Sequence, residues 1–318
     1  MLPPQNPGIL QQPHVIGPVW KCPNCPLTNT FHGNAVDGYF TNAALICDTC
    51  KTTYTTWDVV SAMIREPVFF NGFSALGALT MIFRTKLFWN SETRIDLHEH
   101  GVPKNAFILN MSFASYNGLF CFEMTGNSRR RRPRGAKVQL MGFKTYTVRD
   151  NFATESIVDI HVTWVVSSEA DFAWNNLVAA FDAYADDDYL EAIIPANVAI
   201  ENRLHRLVYR DFEGTCSKDR IESFLKDATY SHQLNVLLPY ILSLKALPPM
   251  DDKLRGHLNG LRKLRNEIAH NGYREKPLTR SECADYLAAV VFGFRYLDII
   301  SKTMGSGGEK AAAGTSPS

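Results

Sequence analysis

Long hydrophobic runs are scarce in this sequence, and neither sign of charge is in excess. Across 318 residues, 33 Lys and Arg face 32 Asp and Glu, for a formal charge of +1. That balance excludes a histone-like or polybasic coating protein, while leaving room for a local basic patch. The uncharged run from Pro67 to Phe83 contains Asn71, Ser74 and two glycines. At about 17 residues it sits at the lower limit for a membrane span, so a buried element of a soluble domain is expected. A basic start followed by an apolar run, the mark of a secretory leader, is missing from MLPPQNPGILQQPH. The seven cysteines are odd in number, which argues against a closed disulfide scaffold. A reduced, cytoplasmic protein without a membrane anchor is expected. An apolar share of 45% is enough to build at least one sizeable core, and the length suggests two or three domains.

What is present falls into segments. Residues 1–19 are rich in Pro and Gln and read as an irregular arm. Residues 20–65 form a cysteine module, whose interior FHGNAVDGYF sets turn residues between aromatics, as short hairpins do. Residues 66–166 read as mainly β, because KNAFILNMSFASY, GLFCFEMTG, AKVQLMGFKTYTV and ESIVDIHVTWVV are β-branched and aromatic runs separated by turns. In the last of these, Val158, Ile160, Val162 and Trp164 alternate with Asp159, His161 and Thr163, the pattern of a half-buried strand.

From 167 to 303 the period becomes helical. Ile193, Ala196, Ile200, Leu204 and Leu207 recur at three and four. A stretch near 221–244 is expected to bend or divide at Pro239. Leu254, Leu258, Leu261, Leu264 and Ile268 make a third stripe that stops near Asn271-Gly272, and Thr279 with Glu282 forms a capping box for a last helix. Residues 304–318 read as a disordered tail. The expected fold is α+β and multidomain: a small zinc ribbon, an antiparallel β region, and a C-terminal all-α helical bundle.

Three constellations carry chemistry. Cys22-x2-Cys25 and Cys47-x2-Cys50, about 21 residues apart, have zinc-ribbon spacing. Four thiolates close a tetrahedral shell around Zn2+ and leave no position for water, so the ion is expected to be structural, with nucleic-acid contact and scaffolding both open as the module's role. Cys121, Cys216 and Cys283 are scattered and read as buried thiols. The run Arg129-Arg130-Arg131-Arg132-Pro133-Arg134 reads as an exposed loop that grips phosphates, serves as a nuclear-import signal, or is simply solvated.

The third constellation is Arg265-Asn266-x3-His270 in LRKLRNEIAHNG. On a helix Asn266 and His270 share a face, with Arg265 beside them. His270 lies in the last turn, where the free carbonyls favour imidazolium, as a general acid or base requires. A neighbouring guanidinium can stabilise charge building on a phosphate. The spacing also occurs from Arg94 to His100 in the β region, where no site is expected.

With Ile193, Ala199-Ile200-Glu201 and Leu204 on an early helix, RNEIAH at a helix end and an apolar last helix, residues 168–301 resemble the HEPN family, the higher eukaryote and prokaryote nucleotide-binding domains. The likeness is greatest to abortive-infection and toxin-like members with RNxxAH helices. That resemblance implies a helical bundle that dimerises, and a metal-independent endoribonuclease bearing Arg-x(4–6)-His. It implies attack of a ribose 2′-OH on the adjacent phosphate, leaving a 2′,3′-cyclic phosphate and a 5′-OH. His270 would move the proton, Arg265 would clamp the phosphate, and Asn266 would orient one of them or bind RNA. Glu201 is a candidate supporting partner. A homodimer or larger oligomer, an RNA substrate, a regulatory trigger acting through the zinc and β regions, and a role in phage defence or toxin-type growth control follow from the same likeness. The β region and the preceding zinc ribbon depart from the family pattern. The alternatives are a non-catalytic nucleic-acid or nucleotide-binding scaffold and a zinc-ribbon DNA-binding regulator.

Overall fold

In the computed structural model the alternating residues Val158, Ile160, Val162 and Trp164 are buried along one strand, Glu155–Val166. The structure describes residues 9–17, 19–25, 28–30, 37–65, 71–88, 91–115, 119–123, 136–144, 155–166, 172–271 and 276–312. The chain divides into two compact units. Unit 1 comprises Met1–Ala35, Cys47–Lys51 and Phe73–Ala170, and unit 2 comprises Val36–Ile46, Thr52–Gly72 and Asp171–Ser318. Numbered along the chain, the strands are β1 (Ile9–Ile16), β2 (Val19–Lys21), β3 (Thr28–Thr30), β4 (Leu45–Ile46), β5 (Thr53–Tyr54), β6 (Leu79–Phe88), β7 (Glu92–Asp96), β8 (Ala106–Ser115), β9 (Leu119–Glu123), β10 (Lys137–Lys144) and β11 (Glu155–Val166).

Unit 1 holds two larger sheets and the two-stranded β2–β3 ladder. Strands β1, β6, β11 and β8 lie side by side in that order, antiparallel throughout, and β7, β10 and β9 form a second antiparallel sheet. Both sheets feed one core, which includes Met81, Phe83, Ile95, Leu140, Ile160 and Trp164. Strand β11 departs from the half-buried expectation because it is central in its sheet, and Asp159 and Thr163 are buried too. Their polar groups are satisfied across the ladder. Arg84, opposite on β6, gives Asp159 two hydrogen bonds of 2.7 and 3.0 Å, and Thr80 meets Thr163 at 3.0 Å.

The expected irregular arm over 1–19 is corrected as well. From Ile9 it forms the edge strand β1, paired with β6. A register shift between Gln11 and His14 accommodates Pro13; proline has no N–H for a ladder and is confined to edges and bulges.

Unit 2 is helical. Its elements include α1 (Asp37–Phe40) and α2 (Thr56–Arg65); α3 (Asn71–Ser74) spans the division between the units. Then follow α4 (Phe172–Ala185), α5 (Tyr189–Phe212), α6 (Lys218–Asp227), α7 (Tyr230–His232), α8 (Leu238–Leu244), α9 (Asp252–Asn271) and α10 (Arg280–Ala312), with a π-helical turn, Gln233–Leu237, between α7 and α8. The break expected at Pro239 falls earlier, at Ala228 and Thr229, between α6 and α7. Pro239 itself sits in the first turn of α8, where a missing N–H is tolerated. The chain stays helical to Ala312 rather than becoming irregular after Thr303, as Glu, Lys and Ala in that stretch allow.

The expected 20–65 module is divided between the units, and aromatic packing gives the reason. Trp57 of α2 stacks on Phe292 of α10 with centroids 4.8 Å apart, and Tyr39 of α1 meets the same ring at 4.5 Å. Arg295 grips Asp37 with two hydrogen bonds of 2.8 Å. Residues 37–40, expected within a hairpin, are therefore a helical turn held against α10. The buried leucine stripe of α9 and the capping box of α10 form as expected. Glu282 N–H donates to Thr279 Oγ1 at 3.2 Å, and Thr279 N–H donates to Glu282 Oε2 at 2.9 Å.

Replacing Thr279 with Ala removes this reciprocal cap and is expected to cost about 1 kcal/mol, read as a lower urea midpoint of the helical transition. Burial, with Lys253 adding to the effect, holds the His257 imidazole below its ordinary value. On acidification the unfolded chain therefore takes up this proton first, and stability declines as pH falls below about 6.5. The urea midpoint should drop between about pH 7.5 and 5.5, and His257→Gln should narrow that drop. An equal drop in the variant would assign the acid sensitivity to other groups.

Candidate functional site

Strands β2 and β3 flank the first cysteine pair, and the segment from Cys47 to Lys51 carries the second. All four thiols converge in unit 1, with their Sγ atoms within 4.8 Å of one another. Cys22 Sγ lies 3.6 Å from Cys50 Sγ, and Cys25 Sγ lies 3.6 Å from Cys47 Sγ. A disulfide needs about 2.05 Å, and none of the four is in one. Zn–S bonds of about 2.3 Å in a tetrahedron place the sulfurs about 3.8 Å apart, so this donor set fits a zinc–thiolate shell.

The surroundings suit thiolates. Asn24 N–H points at Cys22 Sγ at 3.4 Å, a donor that stabilises negative sulfur and fixes its direction. After the second pair, Lys51 turns the chain with φ of 57° while its N–H bonds Cys47 O at 3.0 Å. Cys22 and Cys47 are buried, Cys25 is half-buried and Cys50 is exposed. With four protein ligands the shell has no open position, so it offers no Lewis-acid chemistry.

The other cysteines differ among themselves. Cys283 is buried as expected, and burial pushes its thiol up to about 12. Cys216 corrects the expectation: it lies exposed between α5 and α6. Cys121 belongs to β9, and its side chain lies outside the described residues.

Arg265, Asn266 and His270 all sit on α9. The helix is fixed at its start by Asp251, which accepts from Leu254 N–H at 3.0 Å and from the Tyr39 hydroxyl at 2.7 Å. It is fixed midway by reciprocal amide hydrogen bonds between Asn259 and Asn235, 2.9 and 3.0 Å long. Leu254, Leu258, Leu261, Leu264 and Ile268 are buried, which turns Arg265 and Asn266 to a half-buried flank and leaves His270 exposed in the last turn. Arg265 Nη1 donates to Asn266 Oδ1 at 3.0 Å, so the asparagine holds the guanidinium. Arg265 Nε is buried without a hydrogen-bond partner. A guanidinium held this way can clamp a phosphate, and an exposed imidazole can move a proton. Arg265 and Asn266 are brought together by their hydrogen bond, while His270 stands four residues beyond Asn266 on the same helix.

Glu201 of α5, the candidate supporting partner, accepts from Asn197 Nδ2 at 3.3 Å. The second copy of the spacing forms no such group. Arg94 pairs with Glu92 beside it, and His100 packs on Phe83 with its imidazole held low by burial. The run Arg129, Arg130, Arg131, Arg132 and Arg134 lies outside the described residues. Sequence reasoning missed Arg262 of α9 and Tyr230 of α7. Arg262 was visible as a basic residue one turn before Arg265; nothing in the sequence marks Tyr230.

The purified chain is expected to carry one zinc per molecule, and Cys25→Ser/Cys47→Ser to carry none, by elemental analysis. A metal content that the double substitution leaves unchanged would place the ion elsewhere.

Compared with protein-family models, with curated proteins and with solved structures, the chain matches none.

Proposed function

We propose that the protein is a metal-independent endoribonuclease of the HEPN type, with its reactive groups on α9 and a structural zinc held by Cys22, Cys25, Cys47 and Cys50. The observation that carries this reading is the Arg265–Asn266 hydrogen bond of 3.0 Å, one helical turn from the exposed His270 at the end of the same helix. Asn266 spends its acceptor on Arg265, which leaves other N–H groups of the guanidinium for a phosphate.

In the reaction, His270 takes the proton from a ribose 2′-OH. The oxygen attacks the adjacent phosphorus, the P–O5′ bond breaks, and the 5′-oxygen leaves with a proton. The products are a 2′,3′-cyclic phosphate and a 5′-OH. Arg265 neutralises charge as it builds on the non-bridging oxygens, where a preorganised donor is worth more than water. Two copies related by a twofold axis bring two α9 ends to one cleft, so that one histidine accepts a proton while the other delivers one. The β-rich unit is then the part available to sense a trigger.

The test is cleavage of a mixed RNA pool, with EDTA present, by the wild-type chain and by Arg265→Ala/His270→Ala. The wild type should leave cyclic phosphates, and the double variant should lose at least about a hundredfold in rate. Equal degradation by both would assign the activity to a contaminant. RNA that both bind equally and neither cuts would favour the binding-scaffold alternative.

A further inference from the structure

Helix α9 carries Arg255, Arg262 and Arg265, and they are not held alike. Arg255 is paired with Asp252 on its own helix. Arg262 has no hydrogen bond or ion pair among the described residues, and its Nε is buried without a partner. Arg265 bonds the amide oxygen of Asn266, and its Nε is buried without a partner too. Both are half-buried. Residues three apart on a helix are neighbours, so α9 carries two like-charged, half-buried side chains one turn apart. Such a pair is costly unless an anion completes it.

The surroundings of Arg262 sharpen the point. Tyr230, 7% exposed, has an unpartnered buried hydroxyl. Burial first, and then the charge of Glu201, push that phenol up, while Arg262 acts in the opposite direction. Glu201 itself accepts a hydrogen bond from Asn197 Nδ2 at 3.3 Å.

We infer that Arg262 and Arg265 form a two-arginine phosphate subsite, in which Arg265 holds the scissile phosphodiester and Arg262 holds a neighbouring backbone phosphate of the same RNA strand. The assignment of RNA as the anion rests on the function proposed above. The subsite itself rests on the unpaired guanidiniums. About 4.5 Å of axial rise separates the two residues, and their long side chains extend that reach along a flexible strand.

The test uses the full chain carrying His270→Ala, so that binding is read without cleavage. Affinity for a labelled single-stranded RNA oligonucleotide is measured across a salt series, and Arg262→Gln is then added. Each phosphate contact on a single strand contributes a slope of about −0.7 in log K against log salt. Loss of Arg262 should therefore flatten the slope by about 0.7 and weaken binding several-fold, while Arg262→Lys, which keeps the charge, should retain the slope.

A slope unchanged by Arg262→Gln in a chain with unaltered circular dichroism would overturn the subsite. So would RNA that the His270→Ala chain fails to bind. Unfolding of both Arg262 variants would do so as well, since it would show that the arginine is committed to holding the fold together. The two readings fail separately. A wild type that cuts RNA with an Arg262-independent slope removes the subsite alone. A wild type that binds with an Arg262-dependent slope yet never cuts removes the nuclease alone.

Discussion

At Gly293, α10 runs so close to its neighbours that an added Cβ would stand 3.2 Å from Ile200 Cδ1 of α5 and 3.2 Å from Leu258 Cδ1 of α9. That approach fixes the rotation of α9 about its own axis. With Leu258 inside, the 3.6-residue period also places Leu254, Leu261, Leu264 and Ile268 inside. Arg262, Arg265 and Asn266 are carried to the flank. A larger residue at 293 would push on two helices at once, in a core whose close packing leaves little room to yield. The placement of the candidate site is therefore a packing result before it is an electrostatic one.

The aromatic cluster around Trp57 acts on the same helix from another side. Trp57 lies between Phe292 and the His257 ring, and Lys253 sits 4.6 Å above the indole. Tyr39 joins the cluster and caps Asp251 through its hydroxyl, which also fixes the first turn of α9. Residues 37–46 and 52–65 thus do for the helical unit what a cap and a clamp would do. Their closeness in sequence to the cysteines says little about where their energy is spent.

This explains which parts of the protein could be read from sequence. The cysteine cluster was legible because metal geometry dictates spacing: two sulfurs on each short turn, four in all. The leucine stripe of α9 and the Thr279–Glu282 box were legible because a helix imposes its own period and its own end chemistry. The Asp159–Arg84 pair was not, since it links strands 75 positions apart and turns a residue read as solvent-facing into a buried one. Strand β1 was hidden by Pro13, which argues against a strand except at the edge of a sheet, and edges are a tertiary property. The pairing of Arg265 with Asn266 could be suspected from adjacency. The lack of any partner for Arg262 could not, because an absence is visible only once every neighbour is in place.

The charge balance bears on how such a site would work. A chain with formal charge +1 cannot draw RNA from a distance through its net field, and it cannot coat a strand by neutralising many phosphates. Affinity must come from a few guanidiniums whose field is not cancelled locally. Three arginines on or beside α9 fail that condition: Arg255 faces Asp252, Arg203 faces Asp298, and Arg295 faces Asp37. Arg262 and Arg265 meet it, and their half-burial makes each phosphate contact stronger than it would be on an open surface. A small, half-buried pair with no carboxylate partner among the described residues would, on the proposed reading, suit recognition of a short stretch of strand and the holding of one phosphate, and would be poorly suited to binding length for its own sake.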